Sequence, residues 1–480
     1  MRPLVTTRPP AAGRRARRRH PHVAVATAAL TIGALAAPLG ATAQAAPPAA
    51  SAPPAAVHDL TDDAAPTGWA TANGGTDGGA GAAASSTYLV STRAELLAAL
   101  DNDGRRTEPK VVYVQGVIDG NERADGTLMG EQDYAPGYDL QKYLSCFTDA
   151  GWSDAAHDYC GDQRRKRQTG SNNLKRQTEI SVPSNTTILG VGADAEVRGA
   201  TIMLHLAHDV VIRNLTVEAP RDFFTSWDPW DGEQGAWNAR FDAVSSVTST
   251  NIWLDHVTLT DGRFPDSTAP IGPSGKPVNF HDGLFDLKDG TDFVTMSNSR
   301  VEDHDKAMLI GSGDDNADTD EGRLNVTFVR NAFDGVTQRS PRVRFGKAHV
   351  VNNYFRASVN DPVSPLKPGA GYFIGVGVES QIVSERNVFD YVGPGADASV
   401  AVWGAGGAFV DRGSWFRMRP VDLRSVLPAE ITWGVDWDPA DVYDYQVLRS
   451  PAAVKAHGKH LTGPILPVRA PRGAVVPAVS

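Results

Sequence analysis

Six eight-residue frames carry apolar residues at positions 1 and 8 and mostly at position 3. They are VVIRNLTV (210–217), IWLDHVTL (252–259), VTMSNSRV (294–301), VTFVRNAF (326–333), AHVVNNYF (348–355) and IVSERNVF (382–389). The frames are short, rich in β-branched residues and without helical periodicity, so they read as strands. They begin 42, 42, 32, 22 and 34 residues apart. The spacing of 22 shows how little chain one repeat needs. The longer spacings hold Gly/Pro-rich or Asp-rich stretches that read as loops inserted into a turn of that size. Repeats of this period signal a solenoid or a propeller. Asparagine recurs at position 5 or 6 (Asn214, Asn298, Asn331, Asn352, Asn353, Asn387). Asn tolerates a left-handed backbone and bonds locally, which suits a tight bend, and stacked turns would align the amides as a ladder. A β-sandwich or a propeller would show regular hairpin signals, and Asn-Gly or Asp-Gly between alternating strands is not a regular feature. The pattern favours an all-β, single-stranded right-handed parallel β-helix with long inserted loops, spanning residues 85–480.

Ahead of the repeats, Thr92 and Glu95 have the spacing of a capping box, predicting a short helix through Leu100. Lys110 to Ile118 reads as the first clear strand. Residues 119–180 are polar and aperiodic, a long surface excursion. The last stretch, 412–480, is expected to pack on the solenoid's flank.

The N-terminus stands apart. Residues 1–22 hold seven arginines and no acid, and an apolar run follows from Val23 to Leu39. The small residues of ATAQA (41–45) then offer cleavage sites. This predicts a secretory signal over residues 1–45 and an extracellular protein. A single membrane anchor is the other reading, against which the run is short and carries a late Pro38, and Arg14-Arg15 leaves the export route open. Ala46 to Ala84, rich in Ala, Pro and Gly, reads as a flexible linker and entry segment.

Apolar residues make up 41% of the chain, enough for a large core, and the net charge is −10. Beyond residue 45 there are 39 basic against 56 acidic residues, a net charge of −17. Such a chain does not attract polyanions by bulk charge, which argues against nucleic acid. An anionic substrate would need a local basic patch or a bound cation. Outside the cell, Cys146 and Cys160 are expected to form a disulfide, metal ligation being the weaker alternative.

Three groups could carry chemistry. Asp242 precedes the frame at 252 much as Asp282 and Asp286 precede the frame at 294, so stacked turns would bring the three together. Converging carboxylates repel unless a cation lies between them, and Ca2+ tolerates irregular oxygen geometry best. Separate solvated aspartates are the alternative. Lys306 could project beside the acids or belong to a surface charge run. The run 314–322 fails the EF-hand pattern and reads as a solvated loop. In VTQRSPRVRFG (336–346), Arg342 and Arg344 share one face of an extended strand while Val343 and Phe345 share the other. Arg339 lies just outside it, before Pro341. These arginines either bind an anionic ligand or neutralise nearby aspartates.

The blocks NIWLDHVTLTDG (251–262), HDGLFDLKDG (281–290), DHDKAMLIG (303–311), VTFVRNAFDGVTQRSPRVRFGKAHVVNNYF (326–355) and GVGVESQIVSERNVF (375–389) resemble the pectate lyase family of exported β-helix polysaccharide lyases, in that family's order. The resemblance runs from about Pro66 to about Asp411. It implies β-elimination on polygalacturonate, with Ca2+ held by Asp242, Asp282 and Asp286. It also implies Arg339 as the proton-abstracting base, Arg344 and Lys306 as substrate-binding residues, and a supporting role for Arg342 at the substrate. Arg240 stands where the family usually has an acidic residue, which puts additional Ca2+ sites in doubt. Pectin lyase action on methylated polymer and a non-catalytic polysaccharide-binding β-helix are the competing readings. The expected partner is polygalacturonate, with no nucleic acid and no membrane once the signal is removed, and the protein is expected to act as a monomer.

Overall fold

The computed structural model describes residues 60, 63–148, 151–231, 235–272, 275–358, 360, 371–393, 395–427 and 431–479. The segment 1–45, where a secretory signal is expected, and the first part of the expected linker lie outside the described residues.

Three sheets of 11, 10 and 8 strands wind through the chain in successive coils. Nearly every pair is parallel; Trp415–Phe416 against Arg419–Pro420, at the end of the second sheet, is antiparallel. Parallel strands joined by crossovers coil right-handed, giving a right-handed parallel β-helix. Each eight-residue frame proves to be two strands on a corner. Its first half lies in the first sheet (His208–Arg213, Thr250–Asp255, Asp292–Ser297 and onward) and its second half in the second sheet (Thr216–Glu218, Thr258–Thr260, Arg300–Glu302 and onward). Val210 pairs with Ile252, Ile252 with Val294, Val294 with Val326, Val326 with Ala348 and Ala348 with Ile382. All six are fully buried, forming one apolar stack along the coil axis. The helix Arg93–Asp101, with its Thr92–Glu95 capping box, adds Leu96, Ala99 and Leu100 to the same core.

The recurring asparagines divide into two devices. Position 5 of every frame has positive φ, between 47° and 58°, and is held by Asn214, His256, Asn298, Arg330, Asn352 and Arg386. The bend therefore accepts any of these polar side chains. Position 6 makes the ladder. Asn331, Asn353 and Asn387 each accept, through Oδ1, a main-chain N–H from the previous coil at 2.8–2.9 Å. Their Nδ2 groups donate to the carbonyls of Met296, Phe328 and Val350. A buried corner leaves main-chain groups without strand partners, and the amide satisfies one of each kind.

Three segments differ from expectation. Residues 63–84 are not a free linker: Trp69 N donates to Thr327 Oγ1 at 3.0 Å and Ala70 N to Thr295 Oγ1 at 2.9 Å. Glycine here serves contact, since a Cβ on Gly79 would lie 2.0 Å from Lys110 O. The excursion 119–180 is not loop throughout. Cys160–Thr178 is a 19-residue helix, joined through the Cys146–Cys160 disulfide to the chain before it. Half of its buried residues are polar (Gln163, Ser171, Thr178) and the others are Cys160, Gly170 and Leu174, so it gives little amphipathic signal. This region shares a core of Tyr134, Tyr138, Tyr143 and Leu174 with Trp237 and Phe241. The acidic run 314–322 is only partly solvated: Asp320 is buried and accepts from Gly290 N at 2.8 Å.

The C-terminal helix Pro451–His460 buries Val454 against Tyr354, Val388 and Trp415. No helix among the described residues is long and apolar enough to cross a membrane.

Candidate active site

The third sheet gathers the candidate residues. Asp242 lies just before strand Val244–Val247, Asp282 before and Asp286 within Phe285–Lys288, Lys306 before Leu309–Ile310, and Arg339 before Arg342–Val343. Ser245 pairs with Asp286, Leu309 pairs with Arg342, and Lys306 bridges to Gln338. Adjacent strands lie about 4.8 Å apart, so four successive coils bring these residues into one row. Asp242, Asp282 and Asp286 each offer an oxygen within 4.8 Å of the other two. Gly283 makes this approach possible: a Cβ there would lie 2.5 Å from Asp286 Oδ1 and 3.2 Å from Asp242 Oδ1.

Asp242 and Asp286 are buried. Burial, then the neighbouring Asp242, pushes the Asp286 carboxyl up to about 6. Burial also acts against the Asp282 charge, but Lys306, then Lys288 and Arg339, hold that carboxyl below its ordinary value. Lys288 was not singled out from the sequence. Its ammonium lies 2.9 Å from Asp242 Oδ2 and 3.2 Å from Asp286 Oδ2. Burial alone would lower its pKa, but Asp286, Asp242 and Asp282 together raise it. Its sequence signal was alternation: two residues past Asp286 on a strand, it shares the same face. Three clustered carboxylates that already draw in an ammonium are a donor set suited to a hard divalent cation.

Lys306 Nζ lies 3.2 Å from Asp282 Oδ1. Arg339 has φ 60°, and its carbonyl accepts Met308 N at 2.8 Å. It lines a cleft with Trp237, Asn238, Lys276, Asp282 and Lys306. Its buried Nε has no hydrogen-bond partner among the described residues. Arg342 lies 5.0 Å over the Trp403 ring, and burial followed by Arg344 depresses its pKa. Arg344 is buried, with Nε donating to Asp314 and Nη1 to Gly311 O. Val343 joins the central core, but Phe345 does not: at φ 54° the chain turns out of the strand, so the two do not share a face. Arg240 donates through Nη1 to Ser171 Oγ at 3.3 Å and Asn172 Oδ1 at 3.1 Å, so the helix 160–178 engages its charge.

Asp261, Asp266 and His281 form a second buried group of possible ligands. His281 has Nδ1 3.1 Å from Pro220 O and Nε2 2.8 Å from Phe264 O. Both ring nitrogens thus face main-chain carbonyls within hydrogen-bond distance. His304 lies beside this group. Its Nδ1 is 2.6 Å from Asp261 Oδ1, and its Nε2 is 3.0 Å from both Asp282 O and Lys306 O. Burial would lower its pKa, but Asp261 carries it up to about 9.

A β-helix whose cleft sets a carboxylate trio beside lysine and arginine defines a polysaccharide lyase that handles acidic sugars. The chain belongs to the pectate lyase family, whose model matches residues 157–459. It is 35% identical over 374 residues to a pectate lyase of Bacillus subtilis (strain 168), covering 78% of this chain and 86% of that protein. To pectate lyase D of Dickeya chrysanthemi it is 38% identical over 327 residues, covering 68% and 70%. A solved pectate lyase bound to hexasaccharide superposes with a TM-score of 0.77 at 33% identity, over 85% of this chain and 99% of that one. The Acidovorax avenae subsp citrulli enzyme gives a TM-score of 0.78 at 27% identity, covering 87% and 98%.

Proposed function

We propose that this pectate lyase is secreted and Ca2+-dependent, and that it cleaves α-1,4-polygalacturonate by β-elimination to unsaturated oligogalacturonides. The observation that carries this reading is the trio Asp242, Asp282 and Asp286, with oxygens within 4.8 Å of one another beside Lys306. These three residues would hold the ion. The chemistry a bound Ca2+ supplies is neutralisation of the substrate C6 carboxylate, which acidifies the C5 proton. Lys306 exchanges Asp282 for a uronate carboxylate, and Arg344 clamps the chain, with Arg342 in support. Arg339 takes the C5 proton, the C4–O4 bond breaks, a C4=C5 double bond forms, and the departing oxygen gains a proton from solvent. The place of Arg339 in the lining of the cleft, with Asp282 and Lys306, supports this role.

An arginine pKa lies above ~12, so a guanidine base works only where neighbouring cations disfavour its charge and the solution is alkaline. Activity is therefore expected to rise into the alkaline range. The test is ultraviolet absorbance of the unsaturated product on polygalacturonate, with Ca2+ and with chelator, for wild type and Arg339→Lys. Full activity in chelator on methylated pectin would turn the assignment to a metal-free pectin lyase, and a wild-type rate in Arg339→Lys would remove Arg339 from proton transfer. The N-terminal pattern of residues 1–45 supports secretion, tested by sequencing the mature N-terminus of exported protein.

A further inference from the structure

We propose that His304 is a positioning residue for the lyase reaction: its ring, anchored on Asp261, holds the main chain of Asp282 and of Lys306 at a fixed separation. The proposal rests on the roles given above to those two residues.

Asp282 and Lys306 come from consecutive coils and carry opposite charges into one cleft. Both lie just before strands of the third sheet, Asp282 ahead of Phe285–Lys288 and Lys306 ahead of Leu309–Ile310. Their carbonyls point inward, and among the described residues neither accepts from a main-chain N–H. His304 Nε2 lies 3.0 Å from each, so one donor is shared between two coils. The opposite nitrogen is fixed by Asp261 Oδ1 at 2.6 Å, from the coil before. His304 and Asp261 are both 0% exposed, so water does not compete for these bonds. With both ring nitrogens facing acceptors, the ring donates at each. Drawing the two carbonyls inward turns the Asp282 and Lys306 side chains out toward the cleft and sets the distance between the cation ligand and the ammonium. Partners of this kind behind a metal ligand change its affinity by about 10–100-fold when removed.

His304→Gln keeps an N–H2 near the position of Nε2, within reach of both carbonyls, but loses the Asp261 contact. His304→Asn keeps a donor toward Asp261 and is too short to reach the carbonyls. The measurements are calorimetric titration with CaCl2 in the absence of substrate, and kcat and KM on trigalacturonate. Positioning requires His304→Gln to stay within about 3-fold of wild type in Ca2+ affinity while His304→Asn weakens it about 10-fold or more and raises KM. A purely structural ion pair requires the reverse order. Equal values for the two variants, or His304→Asn the better one, would overturn the proposal. If His304→Asn does not fold, the proposal stands on His304→Gln alone: wild-type-like Ca2+ affinity supports it and a 10-fold loss or more overturns it. Asp282→Ala run in parallel separates the two readings. Should that variant bind Ca2+ as wild type does, the calcium assignment fails, and His304 is then judged by the KM order through Lys306.

Discussion

Lys288 sets its ammonium 2.9 Å from Asp242 Oδ2, inside the carboxylate trio that would hold the calcium ion. A cation of the chain's own thus balances the acids before any ion arrives. Removing it leaves buried carboxylates facing each other, which destabilises the metal-free protein but leaves more charge for a divalent ion. Lys288→Ala is expected to lower the melting temperature in chelator and to enlarge the rise on adding Ca2+. Thermal melts with and without Ca2+ check this; an unchanged melting point in chelator would sink it.

Gly283 is the steric partner of that trio. In Gly283→Ala the new methyl meets Asp286 Oδ1 at 2.5 Å and Asp242 Oδ1 at 3.2 Å, so the carboxylates separate. Overpacking of this kind costs about 1–3 kcal/mol. The expected outcome is a folded protein with Ca2+ affinity down about 10-fold, read by calorimetric titration.

Asn353 tests the ladder. Its side chain accepts Asn331 N at 2.9 Å and donates to Phe328 O at 2.8 Å, both buried. Asn353→Ala strands an N–H and a carbonyl, each costing about 1–3 kcal/mol. Equilibrium denaturation should show a loss of about 2–6 kcal/mol, while kcat on the folded fraction stays at the wild-type value because the ladder lies at the corner away from the third sheet.

His457 links acid to the tail. Burial, then Arg330, lowers its pKa from 6.5 to about 4. The unfolded ring thus takes a proton that the folded one refuses, so its share of stability is present above pH 6.5 and is lost as pH falls toward about 4. The ring lies 2.9 Å from Asn298 Oδ1, on the helix 451–460. Amide exchange in that helix should quicken between pH 6.5 and about 4, ahead of the solenoid strands; His457→Gln should remove the pH dependence.

The frames were legible because a coil buries the same positions each time, and apolar residues at 1, 3 and 8 follow from geometry alone. The two jobs of asparagine were not separable in sequence: His256 and Arg330 bend the chain as Asn214 does, so the bend has no single residue type. The aspartates, Lys306 and the arginines were legible as residues; stacking brings the aspartates, Lys306 and Arg339 to one row, while Arg342 lies over Trp403 and Arg344 is held by Asp314 and Gly311 O. Three features escaped. The helix 160–178 hides its buried face behind Gln163, Ser171 and Thr178. Phe345 looked like an inward strand residue because a left-handed turn leaves no mark on alternation. Lys288 and His304 each have one partner two residues away, Asp286 and Lys306, but the partners that tie them to the rest of the site, Asp242, Asp261 and Asp282, come from other coils, 22 to 46 residues away.

The unequal spacing of the frames, from 22 to 42 residues, has an evolutionary consequence. Extra chain enters between strands, so a coil can gain an insertion without disturbing the stack of side chains above and below it. Trp237 and Lys276, which line the cleft, lie on such inserted chain, outside the stacked strands of the third sheet. An insertion can therefore reshape a cleft wall while leaving the strand register that aligns Asp242, Asp282, Asp286, Lys306 and Arg339 as it is.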